Sequence, residues 1–119
     1  MIRTLSRRLA WPALHAAALA LAGLSAWSLA TAAPARVEVR QANSSFAPGT
    51  LTLRAGTQVV FRNDDQLAHN VYSRTEGQAF NLGMAKPGES VERAFATPGT
   101  VDIRCAVHPR MRLTLTVEP

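Results

Sequence analysis

From residue 36 onward, apolar and polar side chains alternate with a period of two in six short runs, at 36–40, 51–54, 58–62, 91–95, 101–105 and 112–117. Each run puts Val, Leu, Ile or Phe on one face and Arg, Glu, Thr or Asp on the other, the pattern of a half-buried strand. A further run, His69-Asn-Val-Tyr-Ser73, places His69, Val71 and Ser73 on one face. Turn-forming residues punctuate the runs at Pro48-Gly49, Ala55-Gly56, Asn63-Asp64-Asp65, Pro87-Gly88 and Pro98-Gly99. No window of ten or more residues in this region sustains a capped 3.6-residue apolar stripe, so almost no helix is expected. Six to eight short strands at this spacing predict two antiparallel sheets packed as a sandwich.

The first 32 residues follow a different rule. Arg3, Arg7 and Arg8 precede an apolar run from Leu9 to about Leu29, and the small residues Ala30-Thr31-Ala32-Ala33 follow it. A basic segment, an apolar segment and an A-x-A site are the layout of a secretory signal peptide, here read as residues 1–32 with cleavage after Ala32. A retained membrane anchor is the alternative, but His15, Gly23, Ser25 and Ser28 interrupt a run made mostly of alanine. Ser6-Arg7-Arg8 is a weak twin-arginine signal.

Removing that leader changes the charge balance. Three of the thirteen basic residues lie in it and none of the eight acidic ones, so residues 33–119 carry a net charge of only +2. That small excess alternates with apolar positions, forms no basic stripe and gives no sign of nucleic-acid binding. Both tryptophans and His15 also belong to the leader, which leaves Cys105, His69 and His108 as the cysteine and histidines of an 87-residue domain. A lone cysteine in an exported chain is an intermolecular link, a free thiol or a metal ligand.

The stretch Cys105-Ala-Val-His-Pro-Arg-Met111 then acquires a location. Val101, Ile103 and Cys105 share a face, so the thiol is expected to point inward at the end of a core strand. His108 and Pro109 follow in the turn, Met111 just precedes the last strand, and the His69 strand can lie alongside. Each residue has a plainer use: a buried cysteine, a polar turn histidine, a core methionine, or a His69 hydrogen-bonded to the turn at 63–66. Those uses leave the clustering unexplained. Thiolate and imidazole suit zinc or copper, whereas a thioether is rare on zinc. Two histidines, a cysteine and a long axial methionine are the ligand set of a blue-copper electron-transfer site. Cys105 as a nucleophile is disfavoured, because no acid is placed to orient His108.

Phe46-Ala-Pro-Gly, Arg54-Ala-Gly-Thr-Gln-Val-Val-Phe-Arg-Asn-Asp, His69-Asn-Val-Tyr-Ser, Pro98-Gly-Thr and the Cys105–Met111 stretch resemble the plastocyanin-like cupredoxins. The short spacing from Cys105 through His108 to Met111 looks most like amicyanin. The resemblance implies an all-β, Greek-key cupredoxin sandwich over residues 33–119. It implies one copper ion held by His69, Cys105 and His108 equatorially and Met111 axially, with Asn70 supporting the cysteine loop. It implies an electron carrier rather than an enzyme, a monomer of the periplasm, free of the membrane after signal cleavage. Its partners would be a transient redox donor and acceptor, a cytochrome or a dehydrogenase. A periplasmic copper carrier or chaperone is the alternative use of the same ligands. Met84 lacks the ligand spacing and is read as packing. The chain departs from the family at Ile103 and Arg104, where an aromatic residue is common, and it places Arg104, Arg110 and Arg112 near the site.

Overall fold

In the computed structural model, residues 28–119 are described. The expected leader therefore lies, apart from its last five positions, outside the described residues. No helix among the described residues is long and apolar enough to cross a membrane.

Alternation becomes two opposed faces once the strands pair. In chain order they are β1 (Arg36–Ala42), β2 (Ser45–Ala47), β3 (Thr50–Arg54), β4 (Thr57–Asn63), β5 (His69–Ser73), β6 (Phe80–Ala85), β7 (Ser90–Phe95), β8 (Gly99–Arg104) and β9 (Arg112–Glu118). One sheet has the order β2-β1-β4-β7 and the other β3-β9-β8-β5-β6. The all-β sandwich is as the periodicity predicts, and the described residues form no helix. The strands number nine rather than six to eight, and neither sheet is purely antiparallel: β1 pairs with β4, and β3 with β9, in parallel. The chain passes to the other sheet between the partners of each parallel pair, which supplies the crossover that parallel pairing needs.

Inward positions of the two sheets interlock as one core. Val39, Phe46, Phe61, Val71, Phe95, Val101, Ile103, Leu113 and Leu115 are all buried in it. Phe46 meets Phe61 edge-on with ring centroids 6.2 Å apart, and Phe80 meets Phe95 the same way at 5.7 Å. The Arg93 guanidinium lies 4.5 Å from the Phe80 centroid and covers that aromatic pair at the edge of the core. Burying a Phe, Leu or Ile side chain contributes about 1.5–3 kcal/mol, so the sandwich rests on these positions.

Two irregularities shape the end of the sandwich where the donor residues lie. Asn43 and Ser44 join β1 to β2 with φ of 50° and 52°, the left-handed pair of a tight hairpin turn. In β6, Gly83 has φ 77°, and the β5–β6 register shifts between Asn70 and Tyr72. The shift rotates Met84 outward, where it is half exposed, so Met84 is not the packing residue the sequence suggests. Below this end, Asn63 is wholly buried. Its amide donates to the carbonyls of Leu67 and Ala85 at 2.7 and 2.9 Å, and its Oδ1 accepts the Asp65 N–H. Asn63→Ala removes a donor from each of those carbonyls. A loss of about 1–3 kcal/mol per buried group is expected as a lower denaturant midpoint; an unchanged midpoint would show that the turn at 63–69 does not depend on this side chain.

Candidate metal centre

The β8 pattern carries its inward face through Val101 and Ile103 to Cys105, which is buried with its side chain among core residues. After Cys105 the chain turns back, and the Met111 N–H donates to the His108 carbonyl at 2.9 Å. That bond holds a short loop between β8 and β9 and brings His108 back over Cys105. Met111 itself is fully buried in the core beneath the loop. From β5, His69 enters the same region with no exposed surface, whereas His108 is only partly buried.

One ligand atom from each of His69, Cys105 and His108 lies within 4.8 Å of the others. The two Nδ1 atoms are 3.1 Å apart, and His108 Nδ1 is 3.9 Å from Cys105 Sγ. Both separations are within reach of a single ion with bonds of about 2.0 Å to nitrogen and about 2.3 Å to sulfur. Two imidazole nitrogens and a thiol converge here without a carboxylate among them. This soft, nitrogen-rich set fits copper and is a poor match for magnesium or calcium, which require oxygen ligands.

The surrounding hydrogen bonds fix Cys105 and His69. The Asn70 N–H donates to Cys105 Sγ at 3.3 Å. The Asn70 side chain accepts the Ala106 N–H at 3.2 Å and donates to Asn81 Oδ1 and the Gly83 carbonyl at 2.9 and 3.0 Å. His69 Nε2 meets Asp65 Oδ2 at 2.9 Å. The Ser44 N–H also donates to that oxygen at 2.8 Å, and the Gln66 N–H donates to Oδ1 at 2.9 Å. The Ser44 N–H first, then His69 and the Gln66 N–H, hold the Asp65 carboxyl down at about 2. A carboxylate oxygen accepts, so Nε2 of His69 directs its hydrogen to Asp65 and Nδ1 is the ring nitrogen that faces His108.

The structure brings together His69, Cys105 and His108 and places the buried Met111 under the loop that carries two of them. Asn70 donates its N–H to Cys105 Sγ and accepts the Ala106 N–H with its side chain. The three arginines divide. Arg104 and Arg112 both pair with Asp102, at 3.0 and 2.8 Å, and the Arg112 hydrogen bond leads in holding the Asp102 carboxyl below the usual range. Arg110 instead lines a depression of about 540 Å³ with Val107, His108, Pro109 and the Asn43–Ser45 turn. Sequence reasoning missed Asp65 as a partner of the site. Its signals were an acid four residues before His69 and the possible bond from His69 to that turn.

A β-sandwich that gathers two imidazoles and a thiol at one end defines a single-ion metalloprotein of the electron-transfer type. The family model for a cupredoxin-like domain matches residues 14–117, and the chain belongs to that family, whose cofactor is copper. Amicyanin-alpha of Methylorubrum extorquens is 33% identical over 119 residues, covering 94% of this chain and 99% of that protein. An amicyanin mutant in its Cu(I) form superposes with a TM-score of 0.65 at 27% identity, covering 75% of this chain and 87% of that one. A copper-containing nitrite reductase from Thermus scotoductus superposes with a TM-score of 0.68 at 26% identity over 74% of this chain. This chain spans only 23% of the reductase, so the match describes one domain of a larger enzyme.

Asn70→Ala tests the clamp on the cysteine loop, because it removes the side-chain bonds and keeps the backbone N–H. Faster amide exchange at Ala106 is expected, with a stability loss of about 1–3 kcal/mol. Unchanged protection at Ala106 would mean that the loop is held by its own turn.

Proposed function

We propose that this chain is an exported type 1 copper protein that shuttles single electrons between redox proteins. The observation that carries the reading is the convergence of His69 Nδ1, His108 Nδ1 and Cys105 Sγ beneath a backbone N–H aimed at the sulfur. His69, Cys105 and His108 would hold the copper ion, and the buried Met111 would add a fourth, weaker donor from beneath the loop. When bound, copper supplies reversible one-electron chemistry between Cu(II) and Cu(I).

The protein's own residues do the rest. The core cluster to which Cys105 and Met111 belong keeps water from the inner side. Asn70 restrains the sulfur so that the donor geometry changes little with charge. The partly exposed edge of His108 meets the partner, with half-exposed Val107 and Pro109 forming an apolar rim. Contacts of this kind are small, so complexes are transient. Arg110 on the same rim favours an acidic partner surface, on a cytochrome or a dehydrogenase. The domain works as a periplasmic monomer once residues 1–32 are removed.

The deciding experiment is a visible spectrum of the purified protein with one equivalent of Cu(II), repeated after a reductant and for Cys105→Ser. An intense blue band that bleaches, returns on reoxidation and vanishes in Cys105→Ser is expected. A colourless protein that still binds Cu(I) after Cys105→Ser would replace electron transfer with copper carriage. For the docking rim, Arg110→Glu should slow electron exchange with an acidic redox partner about tenfold or more at low salt. The difference should shrink as salt is raised past about 0.1 M, where the Debye length falls to about 10 Å. A salt-independent rate in both proteins would remove Arg110 from recognition.

A further inference from the structure

The His69 ring is wholly buried, so its Nε2 has no solvent to bond and depends on the protein. What it meets is a carboxylate rather than a neutral carbonyl. Either acceptor would fix the tautomer, but only the carboxylate also brings a full negative charge to within one imidazole ring of the donor cluster. That charge is built in. Asp65 is held by the Ser44 and Gln66 N–H groups as well as by His69, and its own N–H donates to the buried Asn63.

We propose that Asp65 is the positioning residue of this centre: through His69 Nε2 it turns Nδ1 toward Cys105 and His108, and its charge lowers the midpoint potential. The inference rests on the reading of His69 as a copper ligand. An anion behind the imidazole makes that ring a stronger donor and favours the more highly charged of two oxidation states. With copper bound, oxidation would add one positive charge as one electron leaves to the partner, and the carboxylate oxygen 2.9 Å from His69 Nε2 would favour that added charge. Asp64 provides an internal comparison. It is the adjacent residue with the same charge, but its side chain pairs with Arg40 and Arg62 rather than with His69.

The test compares Asp65→Asn, Asp65→Ala and Asp64→Asn in the full-length protein. In metal-free protein, nitrogen-detected NMR of the imidazoles should find the hydrogen of His69 on Nε2, with that preference lost in Asp65→Ala. In copper-loaded protein, Asp65→Asn keeps an acceptor but removes the charge. The ratio of Cu(I) to Cu(II) affinity should rise about tenfold, a potential increase of about 59 mV for one electron. Asp64→Asn should change the ratio less than threefold. Copper affinity of Asp65→Ala should fall about tenfold or more. Equal shifts in Asp65→Asn and Asp64→Asn, or a His69 whose Nε2 lacks hydrogen in the unsubstituted protein, would overturn the proposal. Absence of the blue band in the unsubstituted protein would instead strike the ligand assignment, while the metal-free NMR result would still decide whether Asp65 orients the ring.

Discussion

Asn70 is the point on which the arrangement turns, because one residue ties three chain segments to the sulfur. Its N–H donates to Cys105 Sγ, its side-chain Oδ1 accepts the Ala106 N–H, and its Nδ2 donates across to Asn81 Oδ1 and the Gly83 carbonyl in β6. A loop carrying two of the donors would otherwise be free to open, since loops have few apolar contacts of their own. Asn70 is itself buried, at 3% exposure, so any bond it left unmade would be costly and the clamp is self-enforcing. The glycine at position 83 belongs to the same device. Its left-handed conformation makes the bulge that turns the β6 carbonyl toward the Asn70 amide.

Much of this was legible in the sequence, and the reason is period two. Alternation in β8 assigned Val101, Ile103 and Cys105 to the interior, and they have 0, 0 and 2% exposure. The chemistry of the cluster was legible because Cys105 and His108 lie three residues apart, with a methionine at 111. Period two gives faces, however, and not neighbours, so the parallel pairs β1·β4 and β3·β9 left no mark on the pattern. Strand β2 is three residues long, too short to show alternation, and β6 loses its alternation at the Gly83 bulge, which also turned Met84 from an expected interior residue into a surface one. Asp65 hid for a different reason: aspartate is ordinary in a turn, and its role appears only when the Ser44 hairpin is folded against it.

The electrostatics around the loop show the same dependence on pairing. From the sequence, Arg104, Arg110 and Arg112 look like one basic cluster around the donors. In the sheet, Arg104 and Arg112 are direct cross-strand partners, and Asp102 on the same face accepts from both. Their charge is therefore largely committed before any partner arrives. Arg110 sits in the loop beyond the ladder, on the rim with His108. With residues 33–119 close to neutral, a partner meets no strong overall field. In the proposed electron-transfer role, recognition would then fall to a local contrast, Arg110 beside the apolar Val107 and Pro109, which suits a surface that releases its partner after each electron.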